Sequence, residues 1–561
     1  MLDAIRLNSP SGASVWINAN GSLRRFDCGA ITVNLFPGNE MEGGPANVWL
    51  RSRRNGMLEV VPLLGPASHT RFQQHADGVL LGSGEMGHLQ YSLALVLASS
   101  APAWFWRVTL RNVGELQDVD LIYTQDLALA PYDAIRLNEY YVSQYVDHAP
   151  LNHGERGVVV ASRQNQPAGG RHPWCVIGSL RTGVSFATDA LQVYGLASRA
   201  GRTPSGLAQG LPGRRLQHEH SMAAIQDAPL RLERGGQAAA GFFGSFVADH
   251  PAATSMDDLR AVDEALRLPE VGKTYAPHVI RWQAPSATLF SRAALLAVEE
   301  LSETELEALF GAERRHEERD GQGRLLSFFC GEDRHVALRA KELRVQRPHG
   351  HLLRTGRRLT PDESALTSTT WMGGVFHSML TQGHVSINRF LSAARSYLGL
   401  FRSHGLRVFV EIEGEWRLLD EPSAWETTPR SCRWLYRHSH GEIDVLSQAQ
   451  DEPHSLTLSI HVRSGPPARF LIVHHSALNG DDGGSEAGAL WRREGEGVAV
   501  FAAAGTHLHQ RFPEGSFLIA PELGVRFEQV GGDELLFLDG CSRKQPYVCI
   551  VIAGAQAAGV R

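Results

Sequence analysis

Short runs of alternating apolar and polar residues dominate the chain and predict β-strands. The runs "ASVWINANGSLRRFDCGAITVNLF", "WFWRVTLRNVG", "GVSFATDALQVYGLA" and "AAAGFFGSFVADH" alternate in this way, and Gly, Pro, Asn or Asp turns separate them. In the first run, Asn20-Gly21 predicts a hairpin. The 57 glycines and 27 prolines suit a chain that turns often. We therefore predict a large β-sandwich over residues 1–285.

Helical spacing replaces this pattern in the middle of the chain. The stretch "TSMDDLRAVDEALRL" begins with Ser255 and Asp258, which are spaced as in a capping box. The stretch "ATLFSRAALLAVEELSETELEALFGAERRHEERDG" is the longest with helical spacing, and Ser302 with Glu305 can cap a second helix within it. We predict a helical linker over residues 286–323.

Strand spacing returns after the linker, in "HVALRAKELRVQ", "LRVFVEIEGEWRLL", "SLTLSIHV" and "PARFLIVHH". The stretch "RFLSAARSYLGLFRSH", residues 389–404, interrupts it and predicts one amphipathic helix. We predict a second β-sandwich over residues 324–561. The predicted fold class is mainly β, with two large sandwiches joined by the helical linker.

Composition and charge exclude several classes of function. The 561 residues carry a formal net charge of −6, and no basic excess or cluster suggests a nucleic-acid partner. No stretch approaches the roughly 18 apolar residues of a membrane span. The N-terminus lacks a basic region followed by an apolar run, and no two of the six cysteines form a CxxC pair. We expect free thiols and a cytoplasmic location, with neither nucleic acid nor membrane as a partner.

Three alternating carboxylates offer one possible catalytic group. Glu411, Glu413 and Glu415 lie in "FVEIEGEWRL", and alternate residues of a strand lie about 6.6 Å apart on one face. That separation overlaps the range for the two carboxyl groups of inverting glycosidases. The alternative is the solvated face of a hairpin that turns at Gly414, and the apolar residues between the glutamates favour it.

Histidines two residues apart are the only candidate metal ligands. Examples are the pairs at 218 and 220, 438 and 440, and 507 and 509, which have no third ligand at a recognisable spacing. With 25 histidines in the chain, such pairs arise by chance. No G-x-S-x-G, Walker loop or G-x-G-x-x-G between strand and helix is present either. We therefore predict no metal site and no cofactor.

Aromatic and polar residues gather in two further stretches. "LNEYYVSQYVDH" contains Tyr141 and Gln144, and "RPHGHLLRTGRRLT" contains His349 and Arg354. Flat rings beside fixed hydrogen-bonding groups suit a sugar, which has apolar C–H faces and a rim of hydroxyls. The alternative is that the tyrosines are half-buried sandwich residues and that the histidine and arginine belong to a turn whose polar groups bond to one another.

Six longer segments resemble a known family. They are "NLFPGNEMEGGPANVWLR", "VPLLGP", "NEYYVSQYVDH", "RPHGHLLRTGRRLT", "TSTTWMGGVFHSMLTQGHVSINRFLSAAR" and "RVFVEIEGEWRLLDEPSAWE". Together they resemble the N-terminal half of 1,2-β-oligoglucan phosphorylases, which belong with the cellobiose phosphorylases and the phosphorylase region of cyclic β-1,2-glucan synthases. The resemblance runs from about Asn8 to the end of the chain.

The resemblance implies a fold and a chemistry. It implies a leading β-sandwich, a helical linker and a mutarotase-like, sugar-binding second sandwich. In such enzymes an (α/α)₆ barrel follows and supplies the general-acid aspartate and most of the phosphate-binding residues. The reaction is inverting phosphorolysis to glucose 1-phosphate, in which an acid protonates the leaving oxygen while phosphate attacks from the opposite face.

The chain departs from that pattern because no run of paired helices precedes its last residue, Arg561. We therefore expect no catalytic residue here, and a barrel that is separate or downstream. The expected partner is a β-1,2-glucan oligosaccharide, with inorganic phosphate as co-substrate of the full family enzyme. Two alternatives stay open: a stand-alone carbohydrate-active enzyme using a carboxylate such as Glu411 or Glu413, and a structural or assembly domain without sugar affinity.

The resemblance also gives a role to "TSTTWMGGVFHSMLTQGHVSINR", residues 367–389. It implies a loop and helix lead-in that lies against the barrel or near bound glucan. Trp371 and His377 are the expected ring contacts, and Asn388 and Arg389 are the expected polar contacts. The alternative is interdomain packing, in which Trp371 buries against a helix and Asn388 caps the helix that starts near Arg389.

Overall fold

The computed structural model describes residues 4–201, 203–217, 219–275, 286–358, 360, 362–383, 388–394, 397–480 and 488–561. The chain forms two compact units. One unit comprises Met1–Ser198 and Arg202–Ala287, and the other comprises Arg199–Gly201 and Thr288–Arg561. Strands predominate in both units, so the predicted fold class, mainly β with large sandwich-like sheets, is confirmed.

The described residues of the first unit form eighteen strands and five α-helices. They are β1 (Ile5–Asn8), β2 (Ala13–Ile17), β3 (Leu23–Cys28), β4 (Ile31–Thr32), β5 (Asn47–Arg54), β6 (Met57–Pro62), β7 (Arg71–Ala76), β8 (Val79–Met86), β9 (Leu89–Leu97), β10 (Ala103–Asn112), β11 (Gln117–Asp126), α1 (Tyr132–Leu137), α2 (Glu139–Gln144), β12 (Val146–His153), β13 (Gly157–Gln164), β14 (Trp174–Ser179), β15 (Gly183–Asp189), α3 (Ala190–Tyr194), α4 (Ser205–Gln209), β16 (Ser221–Asp227), β17 (Leu230–Leu232), β18 (Gln237–Val247) and α5 (Leu259–Leu266).

Alternation along the strands builds a core on each face of the first unit's large sheet. This sheet has 14 strands, and a four-stranded sheet of β1–β4 covers one of its faces. In β10, Trp104 and Trp106 point into the core shared with the small sheet, where the ring of Phe26 meets Trp104 edge-on at 4.7 Å. Phe105 points to the opposite core, which Val262 of α5 completes. Both faces of the 14-stranded sheet are therefore covered by apolar side chains.

Local signals predicted two features of this unit correctly. β2 and β3 form an antiparallel hairpin around Gly21, which has a φ of +80° that suits glycine. Ser255 and Asp258 form the predicted capping box ahead of α5, with a short 3₁₀ turn between.

In the second unit, twenty strands and four α-helices lie within the described ranges. They are α6 (Leu289–Arg292), β19 (Ala294–Leu295), α7 (Glu303–Phe310), β20 (Arg315–Arg319), β21 (Leu325–Cys330), β22 (Arg334–Leu338), α8 (Arg339–Glu342), β23 (Gly350–Arg354), β24 (Leu366–Trp371), β25 (Val375–Gln382), β26 (Leu406–Ile412), β27 (Glu415–Leu418), β28 (Ala424–Thr428), β29 (Ser431–His438), β30 (Gly441–Gln450), β31 (Ser455–Ser464), β32 (Ala468–His475), β33 (Leu490–Glu494), β34 (Gly497–Phe501), α9 (His507–Arg511), β35 (Ser516–Ile519), β36 (Phe527–Gly531), β37 (Tyr547–Ala555) and β38 (Ala557–Val560).

Two sheets face each other in the second unit. A nine-stranded sheet has β24, β25, β26, β32 and β37 along its middle, and an eight-stranded sheet runs from β20 to β38. Val408 and Ile550 from the first sheet share one core with Trp434 and Ile460 from the second. A three-stranded sheet, β33–β35, adds Ile519 to the same core.

The predicted helical linker contains only two short helices. α7 has the predicted capping box of Ser302 and Glu305, but it ends at Gly311, whose φ is +90°. Between α6 and α7 the chain is extended, because β19 pairs with β27 and Leu296 is buried in the second unit's core. Tertiary packing thus overrides the helix propensity of "AALLAVEEL". The domain boundaries at 285 and 323 stay predictions.

The predicted amphipathic helix over 389–404 is wrong for the described residues of that stretch. The backbone N–H of Phe390 donates to the carbonyl of Leu380, and the N–H of Ser392 donates to the carbonyl of His475. Arg389 and Leu391 form isolated β-bridges. The segment is therefore extended, because its backbone groups find partners in β25 and β32 instead of four residues along a helix.

The buried carboxyl of Asp126 should make the first unit less stable as the pH rises. Its Oδ2 accepts backbone N–H groups of Leu35 and Phe36, Oδ1 has no partner among the described residues, and burial raises its pKa to about 7. The folded state therefore holds an extra proton between about pH 4 and pH 7, and stability falls across that window by up to about 1.4 kcal/mol per pH unit.

Asp126→Asn mimics the protonated form, so its unfolding temperature should fall less than that of the wild type between pH 4.5 and pH 7.5. Calorimetry of the first unit's transition measures this difference. Asp118→Asn, an exposed change on the same strand, is the control and should keep the wild-type slope. An unchanged slope in Asp126→Asn would contradict the assignment.

Candidate functional site

The described residues of the stretch 367–389, which are 367–383 and 388–389, form a β-hairpin and an extended segment, so the predicted loop and helix lead-in is wrong for them. β24 and β25 pair on either side of a turn at Met372–Gly374. The buried indole N–H of Trp434 donates to the carbonyls of Trp371, at 3.1 Å, and Met372, at 3.0 Å. These bonds hold the turn against the opposite sheet.

Trp371 places a half-buried indole ring on the outer part of this hairpin. Gly350 is its partner on β23, and a Cβ built there would lie 2.7 Å from the indole carbons. The indole therefore lies across the bare backbone of Gly350. Its Nε1 is buried and has no partner among the residues that the structure describes. The ring is supported on one side and partly open to solvent.

His349 precedes Gly350 and is fixed by a buried carboxylate. Its Nδ1 lies 2.5 Å from Glu342 Oε2, and its backbone N–H donates to the same oxygen at 3.1 Å. The N–H of Met372 donates to the carbonyl of His349 at 2.9 Å. Because Nδ1 is bound to Glu342, Nε2 is the ring atom left for a ligand. Trp371 stands opposite Gly350, and the carbonyl of His349 accepts from Met372, so Trp371 and His349 lie at neighbouring backbone positions; we call this pair the Trp371 surface.

A charged network lies behind the turn. Asp420 accepts from Arg402 Nε at 2.5 Å and from Arg407 Nη1 at 3.4 Å, and Arg407 also donates to the Gly373 carbonyl at 2.8 Å. Both guanidinium groups are therefore engaged by protein groups.

Next to this network lies a buried carboxylic acid. Burial, together with the negative charge of Asp420, raises the pKa of Glu421 well above its usual range. A Cβ on Gly373 would lie 3.7 Å from its Oε1. Glu421 therefore keeps a protonated carboxyl beside the turn at neutral pH.

Two of the predicted contacts in this stretch lie in the interior of the second unit. His377 is 2% exposed, its Nδ1 lies 3.1 Å from Ser368 Oγ, and burial lowers its pKa to about 4. Asn388 is buried and its Nδ2 donates to the Gln382 carbonyl at 3.5 Å. It does not cap a helix, because none begins at Arg389, which is half-buried in an extended segment.

Arg354 lies away from the Trp371 surface. It stands opposite Thr367, whereas Gly350 stands opposite Trp371, so about four residues of strand, roughly 13 Å, separate the two places. Tyr141 and Gln144 belong to the first unit, where both are exposed on α2. The ring of Tyr141 lies 5.0 Å from that of Tyr145. All eight predicted contact residues stay predictions as ligand contacts.

The carboxylates of "FVEIEGEWRL" form the solvated face of a hairpin. β26 and β27 pair around Glu413 and Gly414. Glu411 lies 3.5 Å from Arg469, Glu413 is 75% exposed, and Glu415 pairs with Arg417 at 2.6 Å. No group of three or more His, Cys, Asp or Glu that could hold a metal ion is found in the described part of the chain. None of the helices described there is long and apolar enough to cross a membrane.

Comparison with known proteins gives the class of these domains. Residues 17–244 match the family described as SOGP N-terminal domain, and residues 312–557 match the one described as glycoside phosphorylase supersandwich domain. The chain therefore has one region similar to each of these two domains.

The relative that these domains resemble is the 1,2-beta-oligoglucan phosphorylase of Listeria innocua serovar 6a. The chain is 29% identical to it over 471 residues, which cover 84% of this chain and 40% of that protein. The predicted resemblance is confirmed, and the chain spans less than half the length of this relative. These matches support a carbohydrate-related role for this chain.

Two solved structures are similar over part or most of the chain. One is a polysaccharide lyase, with a TM-score of 0.29 and 7% identity over 80% of this chain and 45% of the lyase. The other is a putative aldose 1-epimerase from Escherichia coli K12, with a TM-score of 0.26 and 10% identity over 44% of this chain and 99% of that protein.

The turn at Gly374 should tolerate no side chain. Its φ is +64°, and an added Cβ would lie 2.2 Å from the Leu419 carbonyl oxygen. Gly374→Ala should therefore destabilise the second unit by more than the roughly 1–2 kcal/mol that a left-handed backbone alone costs an alanine. Gly414→Ala is the matched control, because Gly414 has a φ of +79° and no atom within 4 Å of an added Cβ. Denaturant unfolding measures both, and equal losses would contradict the close approach.

Proposed function

We propose that this chain is the carbohydrate-binding front part of a glycoside phosphorylase that acts on β-1,2-glucooligosaccharides. The Trp371 surface is the proposed sugar contact. One observation carries this proposal: a half-buried indole lies across the backbone of Gly350, the residue that follows a histidine whose Nδ1 is held by a buried glutamate. Rings of this kind stack on the C–H face of a pyranose, and a fixed ring nitrogen bonds one of its hydroxyls.

The surface suits binding rather than bond cleavage. Inverting phosphorolysis needs an acid at the glycosidic oxygen and donors for phosphate. The arginines next to Glu421 already form salt bridges with Asp420, so an incoming phosphate would have to displace that carboxylate. The acid and the phosphate site of the proposed enzyme come from an (α/α)₆ barrel, separate or downstream. The longest α-helices among the described residues have eight residues, and they build no such barrel.

A second candidate function rests on Glu421. Carboxylic acids that stay protonated at neutral pH are a feature of general acids. A stand-alone carbohydrate-active enzyme would use Glu421 rather than Glu411 or Glu413, which are paired with charged neighbours or solvated on the hairpin. We favour the binding role, because Arg402 and Arg407, the arginines described beside Glu421, already donate to Asp420.

Calorimetric titration with β-1,2-linked glucose oligosaccharides tests the binding role. Trp371→Ala should weaken binding at least about ten-fold, since truncating a central aromatic contact commonly costs more than 1 kcal/mol. His349→Ala should weaken it less. Phe329→Ala removes another exposed ring of the second unit, 39% exposed, and should bind as the wild type does. Wild-type affinity in Trp371→Ala would contradict the proposal that the Trp371 surface binds sugar.

Glucose 1-phosphate release separates the two candidate functions. A protein of these 561 residues, given phosphate and β-1,2-linked oligosaccharide, should release none. Release that Glu421→Gln abolishes would establish the second candidate instead.

Glu421→Gln should also stabilise the second unit at alkaline pH. The pKa of Glu421 is higher in the folded state than in the unfolded state, so the wild type loses stability as the pH rises toward the folded pKa. Glutamine does not ionise and removes that loss. Thermal unfolding at pH 6 and pH 9 measures it, and an equal decline in both proteins would contradict the assigned shift.

A further inference from the structure

A cavity of about 380 Å³ opens between the two sheets of the second unit. The nine-stranded sheet contributes residues of β24, β25, β26 and β32, the eight-stranded sheet contributes β31 and β38, and β35 of the small sheet forms a third wall. The volume lies at the lower end of the 300–1,000 Å³ that is usual for small-molecule sites. Trp371 is not among its lining residues.

The wall is apolar and aromatic. Leu391, Leu406 and Leu458 line it. The rings of Phe390 and Phe517 line it as well and are stacked, with centroids 5.1 Å apart and planes at 15°. Phe517 is half-buried, so part of its ring is open to the cavity or the solvent. A ligand that fills this space needs a flat apolar face.

One acceptor in the wall has no protein donor among the described residues. His474 lines the cavity and is 2% exposed. Its Nδ1 lies 3.3 Å from the Val548 carbonyl oxygen, so Nδ1 carries the proton and Nε2 accepts. No hydrogen bond to Nε2 exists within the described ranges. Two other histidines line the wall. His377 uses both ring nitrogens, on Ser368 Oγ and the Thr457 carbonyl, and His454 lies 2.8 Å from Thr355 Oγ1 through Nδ1 and 3.7 Å from Asp362 through Nε2.

The unpaired Nε2 selects a neutral ligand with a hydroxyl group. Burial lowers the pKa of His474 to about 4, so the ring is neutral at pH 7. A carboxylate or phosphate dianion offers no proton to this nitrogen, whereas a hydroxyl does. A hydroxyl that donates to this nitrogen gains a hydrogen bond, which is worth about 0.5–1.5 kcal/mol.

The mouth of the cavity is polar, and none of its lining side chains carries a carboxyl group. Gln382, Ser364, Ser516 and Arg561 line it and are exposed. No Asp or Glu is among the lining residues. Amide, hydroxyl and guanidinium groups can bind the outer hydroxyls of a sugar, but none of them can protonate a glycosidic oxygen at pH 7.

We propose that this cavity is a second carbohydrate site, which takes one terminal hexopyranose ring with a hydroxyl on His474 Nε2 and a C–H face on Phe517. The choice of glucose as the hexose rests on the proposed function. The site lies about 15 Å from Trp371 along the hairpin, since Leu366 lines it at the other end of β24. Two sugar sites on the second unit suit an oligosaccharide of several residues.

Saturation-transfer NMR with D-glucose and with the β-1,2-linked disaccharide sophorose tests the proposal. Ser516→Trp blocks the mouth at an exposed residue, and His474→Phe keeps a ring but removes the acceptor. Each should reduce the glucose signal at least about five-fold, as expected for a lost buried hydrogen bond or a closed entrance. Leu523→Trp, at a fully exposed residue that does not line the cavity, is the matched control and should leave the signal unchanged.

A second measurement reports on His474 itself and does not depend on either variant folding. The ¹⁵N resonance of Nε2 in the wild type should shift when glucose is added, because it gains a hydrogen bond. No glucose signal in the wild type, an unshifted Nε2 resonance, or wild-type binding by Ser516→Trp would each overturn the proposal.

The variants also distinguish this site from the Trp371 surface. Loss of the glucose signal in Ser516→Trp but not in Trp371→Ala would support the cavity, whatever the outcome at Trp371. Loss in Trp371→Ala alone would overturn the cavity and leave the proposed function standing.

Discussion

The hydrogen bonds from the indole N–H of Trp434 to the carbonyls of Trp371 and Met372 hold the two sheets of the second unit in register at the candidate site. Trp434 is fully buried in the eight-stranded sheet, so its ring cannot turn without leaving that donor unpaired. The bonds fix the backbone of the β24–β25 turn. Through the Met372 N–H they also fix the chain at His349. The proposed sugar contact is therefore a product of core packing, and the ring of Trp371 is positioned before any ligand arrives.

Much of the fold could be predicted from the sequence, because the signals concerned are local. The capping boxes at Ser255 and Ser302 involve residues three apart, and strand alternation sends Trp104 and Phe105 to opposite cores. Local signals alone could not tell whether residues 389–404 form a helix. These residues favour helix, yet backbone groups of distant strands bind Phe390 and Ser392 and keep the segment extended. The same competition shortens the predicted linker helices.

The candidate site was predictable only in part. His349 was named because rings beside polar groups suit sugars, and Trp371 because the family resemblance implies a contact there, but nothing in the sequence pairs His349 with Glu342 across a turn. Glu421 was missed, because its raised pKa depends on burial and on Asp420 rather than on any motif. His377 was taken for a surface ring and is a buried, neutral one. An interior position of this kind is set by the opposing sheet, which the strand's own residues do not reveal.

The central claim is that sugar contacts the second unit on the strands that carry His349 and Trp371. Hydrogen–deuterium exchange with and without a β-1,2-linked glucose oligosaccharide tests it most directly, because backbone protection maps the contact without any substitution. We expect slower exchange in peptides that span 349–354 and 366–375, and unchanged exchange in β20 and β21 of the same unit. Unchanged exchange throughout the second unit at saturating oligosaccharide would contradict the account.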